Sequence, residues 1–232
     1  MFFARPQSHD AIAIQRAYEL LPVDEREQAD RFRFDRDRAI YVVAHALLRR
    51  ELGRYTGIAA DELRFERNPS GRPELVFPFQ VDPEIARLRF NLAHTRGLVG
   101  CAVTMSSDVG FDVEEVRERA PLEIADRFFS SPELERLRAL GTHEQTRRFF
   151  TLWSLKEAYL KARGVGLSLG LDCFALHPRV DGTAELETFQ SHPADERPWG
   201  FRWWHFETQC AAIAVQAEPR RLRPVVFEEE PF

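Results

Sequence analysis

The sequence predicts an α+β fold in two similar halves, and three observations support this prediction. Segments with apolar residues at helical spacing occur in both halves. Short runs of β-branched and aromatic residues, bounded by turn residues, indicate strands in both halves as well. The segment Met105–Asp108 has the composition of a joint between them. At 232 residues the chain can bury one large core or two small ones.

The first half is predicted to begin with helices and to end with strands. Short helices are expected at residues 10–21 and 24–30, and a long one at Phe34–Tyr55. The apolar side of the long helix consists of Ala39, Val42, Val43, Ala46, Leu47 and Leu52. Asn68–Pro73 has the composition of a turn. The strands that follow are expected near Leu75–Phe77, Leu88–Leu92 and Leu98–Thr104.

The second half is predicted to begin with a strand at Val109–Glu114, where apolar and polar residues alternate. Helices are expected near residues 122–129, 132–139 and 144–163. The closing strands are expected near Cys173–Leu176, Ala184–Phe189, Phe201–Phe206 and Ala211–Gln216. Residues 219–232, which include three consecutive glutamates, are predicted to form a solvated tail.

Composition excludes some classes of function. A net charge of −5 argues against a general nucleic-acid binder. No apolar stretch approaches the length of about 18 residues that spans a membrane, and the N-terminus lacks a signal-peptide pattern. The three scattered cysteines, Cys101, Cys173 and Cys210, are expected to be buried thiols in a reducing compartment. These features predict a cytoplasmic protein without a membrane partner.

Lys156 and Lys161 are the only lysines, because every other basic residue is an arginine. An ammonium is a compact charge that can release a proton, whereas a guanidinium stays planar and protonated. The two positions therefore suit the handling of a phosphate oxygen or a leaving group. They lie in a helix predicted to end at Gly164, on one broad face with Trp153 and Glu157. The alternative is a solvated face with one weak Glu157–Lys161 ion pair.

Asp112 and Glu114 are predicted to project from the same face of a strand, because side chains alternate along it. Two adjacent carboxylates repel each other unless a cation lies between them. Such oxygen ligands suit Mg²⁺, whose remaining coordination positions are filled by waters and phosphate oxygens. Glu157 could supply a third carboxylate from the helix. The alternative is an acidic strand end that faces solvent.

The motifs together match a known pattern. Val109–Glu114, followed by Trp153-x-x-Lys156-Glu157-Ala158-x-x-Lys161-x-x-Gly164-x-Gly166-Leu167, resembles the Sfp-type 4′-phosphopantetheinyl transferases. Further family segments occur in order at Ser70–Pro73, Phe90–Thr95 and Phe128–Glu133. The resemblance extends from about Arg31 to Leu176. Ala93 departs from the serine usual in the family, whereas Thr95 keeps the hydroxyl of the motif.

The resemblance implies two similar α/β subdomains related by a pseudo-twofold axis, with the active site at their interface. Residues 1–105 would bind the 3′-phosphate and adenine side of coenzyme A, and residues 106–218 would carry the metal and the catalytic groups. The implied cofactor-binding residues are Arg36, Gly71, Arg72, Pro73, Asn91, His94, Lys156 and Lys161. The implied ligands of Mg²⁺, or of Mn²⁺ in its place, are Asp112, Glu114 and Glu157.

The resemblance also implies the reaction. The 4′-phosphopantetheine group would pass from coenzyme A to a serine hydroxyl of an acyl or peptidyl carrier protein, with release of adenosine 3′,5′-bisphosphate. Glu157 is expected to take the serine proton, Lys156 to stabilise the departing phosphate oxygen and Lys161 to hold the phosphates. Glu133 is expected to bridge to Lys156 or to position the nucleophile. Single-chain members of the family imply a monomer.

Contacts to the carrier are expected from Arg127, Phe128 and Phe129.

Three other functions stay open at this point. A protein could bind coenzyme A without transferring its arm, although the three carboxylates and Lys156 are all present. The Arg/Phe-rich segment 31–38 could bind single-stranded nucleic acid. Another Mg²⁺-dependent phosphotransferase is a further alternative, but the sequence has no P-loop motif.

Overall fold

The structure, a computed structural model, describes residues 1–69, 71–77, 80–166, 169–189, 197–219, 224, 226–228 and 232. It contains two compact units, Met1–Ser107 with Pro224–Phe232, and Asp108–Arg223. Each unit combines helices with a small sheet, which confirms the α+β class. The division after Ser107 falls inside the predicted joint. The pseudo-twofold axis, and the assignment of each half to one side of the cofactor, stay predictions.

The elements follow the predicted order along the chain. The helices are α1 (Ala11–Glu19), α2 (Val23–Asp30), α3 (Asp35–Thr56), α4 (Pro83–Ala86), α5 (Leu122–Phe128), α6 (Ser131–Arg138) and α7 (Thr142–Arg163). The strands are β1 (Phe2–Ala4), β2 (Arg64–Arg67), β3 (Pro73–Val76), β4 (Arg89–Thr95), β5 (Leu98–Thr104), β6 (Val109–Glu115), β7 (Phe174–Pro178), β8 (Ala184–Thr188), β9 (Gly200–His205), β10 (Gln209–Val215) and β11 (Phe227–Glu228).

The first unit is organised around α3. This helix packs against a four-stranded sheet of order β11-β1-β5-β4, while β2 and β3 form a separate hairpin. Two aspartates, Asp35 and Asp37, lie in the first turn of α3, where the positive end of the helix dipole favours negative charge. Of the predicted apolar side, Val43, Leu47 and Leu52 form the core with the sheet, whereas Val42 and Ala46 pack against α1 and α2.

The predicted solvated tail, residues 219–232, needs a correction. Phe227–Glu228 pair with β1 as the parallel strand β11, and the ring of Phe232 lies 4.3 Å from the guanidinium carbon of Arg50. A two-residue strand is held by backbone hydrogen bonds to a neighbour and needs no side-chain pattern, so the sequence gives no signal for it. Residues 220–223, 225 and 229–231 of this segment lie outside the described residues.

The second unit is organised around α7, which packs on an antiparallel sheet of order β6-β10-β9. The hairpin of β7 and β8 and the helices α5 and α6 complete it. The core is strongly aromatic: the ring of Tyr159 lies 5.1 Å from Phe174, 5.1 Å from Trp199 and 5.7 Å from Phe201, all edge to face. The predicted end of the helix at Gly164 is confirmed, since that residue has φ 64 and closes α7.

A glycine sets the distance between α7 and β6. A Cβ atom at Gly110 would lie 1.9 Å from the carbonyl oxygen of Ala158 and 2.3 Å from the amide nitrogen of Ala162. Only a residue without a side chain allows the strand and the helix to approach so closely. Asp112, two residues further along the same strand, is thereby brought within reach of the helix.

The three cysteines are buried and none forms a disulfide, as predicted. Throughout the described ranges, no helix has both the length and the apolar character needed to cross a bilayer.

We expect Gly110→Ala to lower the free energy of unfolding by about 3 kcal/mol or more, because the added methyl would overlap helix backbone that cannot rotate away. Urea unfolding would measure the effect. Gly141→Ala is the matched control, since a Cβ there meets no atom within 4 Å and the residue has φ −66. Equal stability of the two variants would contradict the close approach of α7 and β6.

Candidate active site

Three carboxylates and one ammonium form a group that we call the acidic cluster. Asp112 and Glu114 belong to β6, while Glu157 and Lys161 belong to α7. Residues two apart on a strand share a face, and so do residues four apart on a helix. The Nζ atom of Lys161 donates to Oδ1 of Asp112 at 2.7 Å. The structure thus brings the strand motif and the helix motif of the sequence together.

The acidic cluster carries more negative charge than its ammonium compensates. Burial, and next the charge of Asp112, raise the pKa of Glu114 to about 7, while Lys161 opposes the shift. Burial and Asp112 also raise the pKa of Glu157, again against Lys161. Both glutamates therefore favour either protonation or an additional cation near them.

The donors of the acidic cluster suit a divalent cation. Oδ2 of Asp112 is buried and accepts no hydrogen bond, so an acceptor is left over at the centre of the cluster. Carboxylate oxygens are the ligands that Mg²⁺ takes in proteins. Within the described ranges, however, no three His, Cys, Asp or Glu side chains are already arranged as a metal-binding set. The residues therefore fit Mg²⁺ by their chemistry, and closing around it would require side-chain movement.

Two further residues shape the acidic cluster: Trp153, predicted from the sequence to lie on the same helix face, and Gly110, for which the sequence predicted no role. The indole N–H of Trp153 donates to Glu114, and its ring stacks on Phe149 with centroids 6.1 Å apart. Trp153 precedes Glu157 by one helical turn, which is the signal that it faces the same way. Gly110 is the second, and a glycine inside a strand pattern signals a close approach of another backbone.

Lys156 and Glu133 lie in a different environment, which we call the buried pair. The Nζ atom of Lys156 is 2.8 Å from Oε2 of Glu133, so the expected bridge between them is present. The side chain of Lys156 is 0% exposed, whereas that of Lys161 is 34% exposed. The two lysines predicted to share one broad helix face are thus separated by the structure, one in the core and one at the acidic cluster.

The predicted cofactor-binding residues of the first unit lie in three places. Gly71, with φ 83, and Arg72 form the turn between β2 and β3, where Asn68 Oδ1 accepts from the Arg72 amide at 3.0 Å. Arg36 is exposed in the first turn of α3, with its Nε 3.3 Å from Asp37 Oδ1. The remaining three residues are Pro73 at the start of β3 and, on β4, the half-buried Asn91 and the exposed His94.

Cavities adjoin some of these residues. One of about 1030 Å³ is lined by Pro73 and Asn91 together with parts of α2 and α3. A smaller one of about 190 Å³ is lined by Arg72, Pro73 and Phe90. Ala93, the departure from the family pattern, is buried in β4. Ser70 and Leu167, which belong to the family motifs, lie outside the described residues.

Of the residues expected to contact a carrier, Phe129 is 3% exposed and belongs to the core of the second unit. A surface contact through its ring is excluded in this arrangement, because the ring packs on Phe149 at 5.3 Å. Phe128 is half-buried, and Arg127 is exposed with its guanidinium 5.3 Å from the Phe128 ring.

Comparison with known proteins agrees with this geometry. The family described as the 4′-phosphopantetheinyl transferase superfamily matches residues 108–214, and the one described as 4′-phosphopantetheinyl transferase, N-terminal, matches residues 5–106. The transferase Sfp of Bacillus subtilis is 32% identical over 192 residues, which cover 83% of this chain and 81% of Sfp. The chain belongs to the 4′-phosphopantetheinyl transferase family.

Two other similar proteins extend the comparison. The 4′-phosphopantetheinyl transferase HetI of Nostoc sp. is 37% identical over 149 residues, which cover 64% of this chain and 61% of HetI. A holo-(acyl-carrier-protein) synthase of Bacillus anthracis is 19% identical, with a TM-score of 0.40 over 48% of this chain and 96% of the other. The matches to the two family descriptions and to Sfp confirm the predicted family, and with it the enzyme class of this phosphopantetheinyl transferase.

We expect Lys161→Met to destabilise this phosphopantetheinyl transferase by about 2 kcal/mol, between the values for exposed and buried ion pairs. The loss should be larger at about pH 8 than at about pH 5. The pKa of Glu114 is about 7 in the folded protein against an ordinary 4.5. Its deprotonation therefore lowers the free energy of unfolding as the pH rises between these two values. Without the ammonium of Lys161, the pKa values of Glu114 and Glu157 rise further, so the difference from wild type grows with pH.

Urea unfolding of metal-free protein at the two pH values tests this expectation. Arg138→Met is the control, because Arg138 and its partner Asp126 are both exposed and should give a small, pH-independent change. A loss for Lys161→Met that does not depend on pH would contradict the charge balance described for the acidic cluster.

Proposed function

We propose that this enzyme transfers the 4′-phosphopantetheine group of coenzyme A to a serine hydroxyl of an acyl or peptidyl carrier protein. The second product is adenosine 3′,5′-bisphosphate, and the reaction depends on Mg²⁺. The observation that carries the proposal is the acidic cluster, in which three carboxylates and a partly exposed ammonium lie together in a member of this family.

Transfer requires that the serine oxygen attack the β-phosphorus of the pyrophosphate while the bond to the bridging oxygen breaks. The serine proton must leave as the new P–O bond forms. Glu157 is the group that takes it, directly or through a water molecule. Glu157 is only partly buried, so a substrate can reach it.

Lys161 holds the phosphates in this proposal. Its ammonium uses one donor on Asp112, and one third of its side chain is exposed, so donors remain for phosphate oxygens. A positive charge at this place stabilises the negative charge that collects on the departing oxygen. On the cofactor side, the polar groups are those expected from the family pattern, namely Arg36, Arg72, Asn91 and His94.

Asp112, Glu114 and Glu157 are the residues that would hold the metal ion. When bound, Mg²⁺ supplies positive charge that offsets the repulsion among pyrophosphate oxygens. The chain contributes the partnerless oxygen of Asp112 and the hydrogen bond by which Trp153 fixes the direction of Glu114.

The proposal includes a monomeric enzyme of the cytoplasm without a membrane or nucleic-acid partner. The acidic net charge of −5 supports the last point. Light scattering of the purified protein would report the oligomeric state.

We expect wild-type protein with coenzyme A and Mg²⁺ to add one phosphopantetheine arm to an apo carrier protein, measured as intact mass. Glu157→Gln should lower kcat by about 100-fold or more, because the amide cannot accept the serine proton. EDTA should abolish transfer. One fatty-acid and one peptide-synthetase carrier would be compared.

Glu123→Gln, an exposed carboxylate in the first turn of α5, is the control for loss of one negative charge. The idea fails if no carrier gains mass while coenzyme A still binds, since the protein would then be a binding module. Full activity of Glu157→Gln would remove Glu157 from its role as base.

We also expect Mg²⁺ to raise the Tm more at about pH 8 than at about pH 6, because protons compete with the metal for Glu114, whose pKa is about 7. Thermal unfolding with and without Mg²⁺ measures the difference. Asp112→Asn should show little rise at either pH, and a rise equal to that of wild type would place the metal elsewhere.

A further inference from the structure

Every donor of Lys156 is engaged inside the protein. Its ammonium donates to the carbonyl oxygen of Leu171 at 2.6 Å and to that of Phe174 at 2.9 Å, and its third contact is Glu133 Oε2 at 2.8 Å. An ammonium has three donors and no acceptor, so none is left for a phosphate oxygen. The ring of Phe174, 4.1 Å from Nζ, closes a further side.

Glu133 is satisfied just as completely. Its Oε2 accepts from the amide nitrogen of Ser130 at 2.9 Å and from the Ser130 hydroxyl at 2.8 Å, in addition to Lys156. Its Oε1 accepts from the amide of Leu176 at 2.9 Å. The carboxylate also completes the capping box at the start of α6. Such a fully hydrogen-bonded buried pair is rigid, and removing one partner leaves a buried charge.

The buried pair joins four segments of the second unit. Lys156 belongs to the middle of α7, and Glu133 to the first turn of α6. Their partners lie in the 3₁₀ turn Leu171–Cys173 and at the start and middle of β7. The contacts therefore fix α7 against rotation and also hold the chain that follows it.

The rotation of α7 matters because Glu157 directly follows Lys156. Successive side chains on a helix point about 100° apart, so anchoring Lys156 in the core turns Glu157 toward β6. Lys161 lies one turn beyond Glu157 and donates to Asp112. A small rotation of α7 would separate both residues from the carboxylates of β6.

We infer that Lys156 and Glu133 are positioning residues, which hold α7 in the rotation that presents Glu157 and Lys161 and which take no part in proton or phosphate chemistry. The inference rests on the proposed function for its link to activity. It replaces the expectation that Lys156 stabilises the departing oxygen. Because Lys156 is buried and all of its donors are engaged, that role falls to Lys161.

A pair of variants separates positioning from catalysis. Lys156→Met leaves the Glu133 carboxylate buried and unpaired, and should lower kcat by about 100-fold through misplacement of Glu157. The double variant Lys156→Met with Glu133→Gln removes that stranded charge. It should recover about tenfold or more of the lost kcat, because helix position and not the ammonium is what transfer needs.

Lys161→Met with Asp112→Asn is the matched control, since it neutralises the other lysine–carboxylate pair of α7 in the same way. It should not recover relative to Lys161→Met, because Lys161 acts on the phosphates and Asp112 is a proposed metal ligand, so transfer needs both side chains. Tm is measured for every variant. Hydrogen exchange of the Leu176 amide and of the second half of α7 gives a readout that is independent of activity, and it should be faster in Lys156→Met and slower again in the double variant.

The inference is overturned if the double variant regains the Tm of wild type and yet stays as inactive as Lys156→Met, since the ammonium itself would then be catalytic. Unchanged exchange in Lys156→Met would also overturn it. If wild type transfers no arm to any carrier, the proposed function fails, whereas the exchange measurement still decides whether the buried pair holds α7.

Discussion

The contact between α7 and β6 is the constraint on which the rest of the second unit depends. Gly110 allows the helix backbone to lie where any side chain would overlap it. This brings a strand and a helix with separate sequence motifs within hydrogen-bond distance, as the Lys161–Asp112 contact at 2.7 Å shows. Without that approach, Asp112 and Lys161 would be ordinary surface charges, screened by water and of little consequence to each other.

The same helix gives its two lysines opposite environments. Lys156 is surrounded by carbonyl oxygens, a carboxylate and the rings of Phe174 and Phe129, and burial lowers its pKa while Glu133 opposes the shift. Lys161 keeps one third of its side chain in solvent. The difference follows from helix geometry, because residues five apart point in directions about 140° apart when successive residues differ by about 100°. One lysine therefore anchors the helix, and the other remains available to a ligand.

The sequence predicted most of the fold because its long elements have strong periodic patterns. The helices α3 and α7 and the strands β4 to β10 lie close to their predicted positions. The short strands β1, β2 and β11 were not predicted, since they depend on backbone pairing with distant segments. For the site, the two motifs suggested that Asp112, Glu114 and Glu157 could share a cation, and the family resemblance implied that Lys161 would hold phosphates. The structure brings all four side chains together.

What the sequence could not give was the burial of each charged side chain. Spacing placed Lys156 and Lys161 on one broad face, and only the packing of Leu171, Phe174 and Glu133 around Nζ separates them. Burial of Phe129 was hidden for the same reason, because a Phe-Phe pair next to a helix end does not reveal which ring enters the core. Such assignments depend on segments far apart in the chain, and a local pattern does not contain them.

The balance of charge in the acidic cluster links stability to function. Three carboxylates with one ammonium are costly in the metal-free protein, and a pKa of about 7 for Glu114 means that a proton partly relieves the repulsion at neutral pH. A divalent cation would relieve it more completely, since it would also satisfy the partnerless oxygen of Asp112. The buried pair, by contrast, is already neutral in sum and fully hydrogen-bonded, so it can keep α7 in place whether the acidic cluster is protonated or metal-bound. On α7, Lys156 therefore supplies rigidity, while Glu157 and Lys161 belong to the acidic cluster, whose charge can change. The acidic cluster can bind a proton or a metal ion while the buried pair keeps α7 in place.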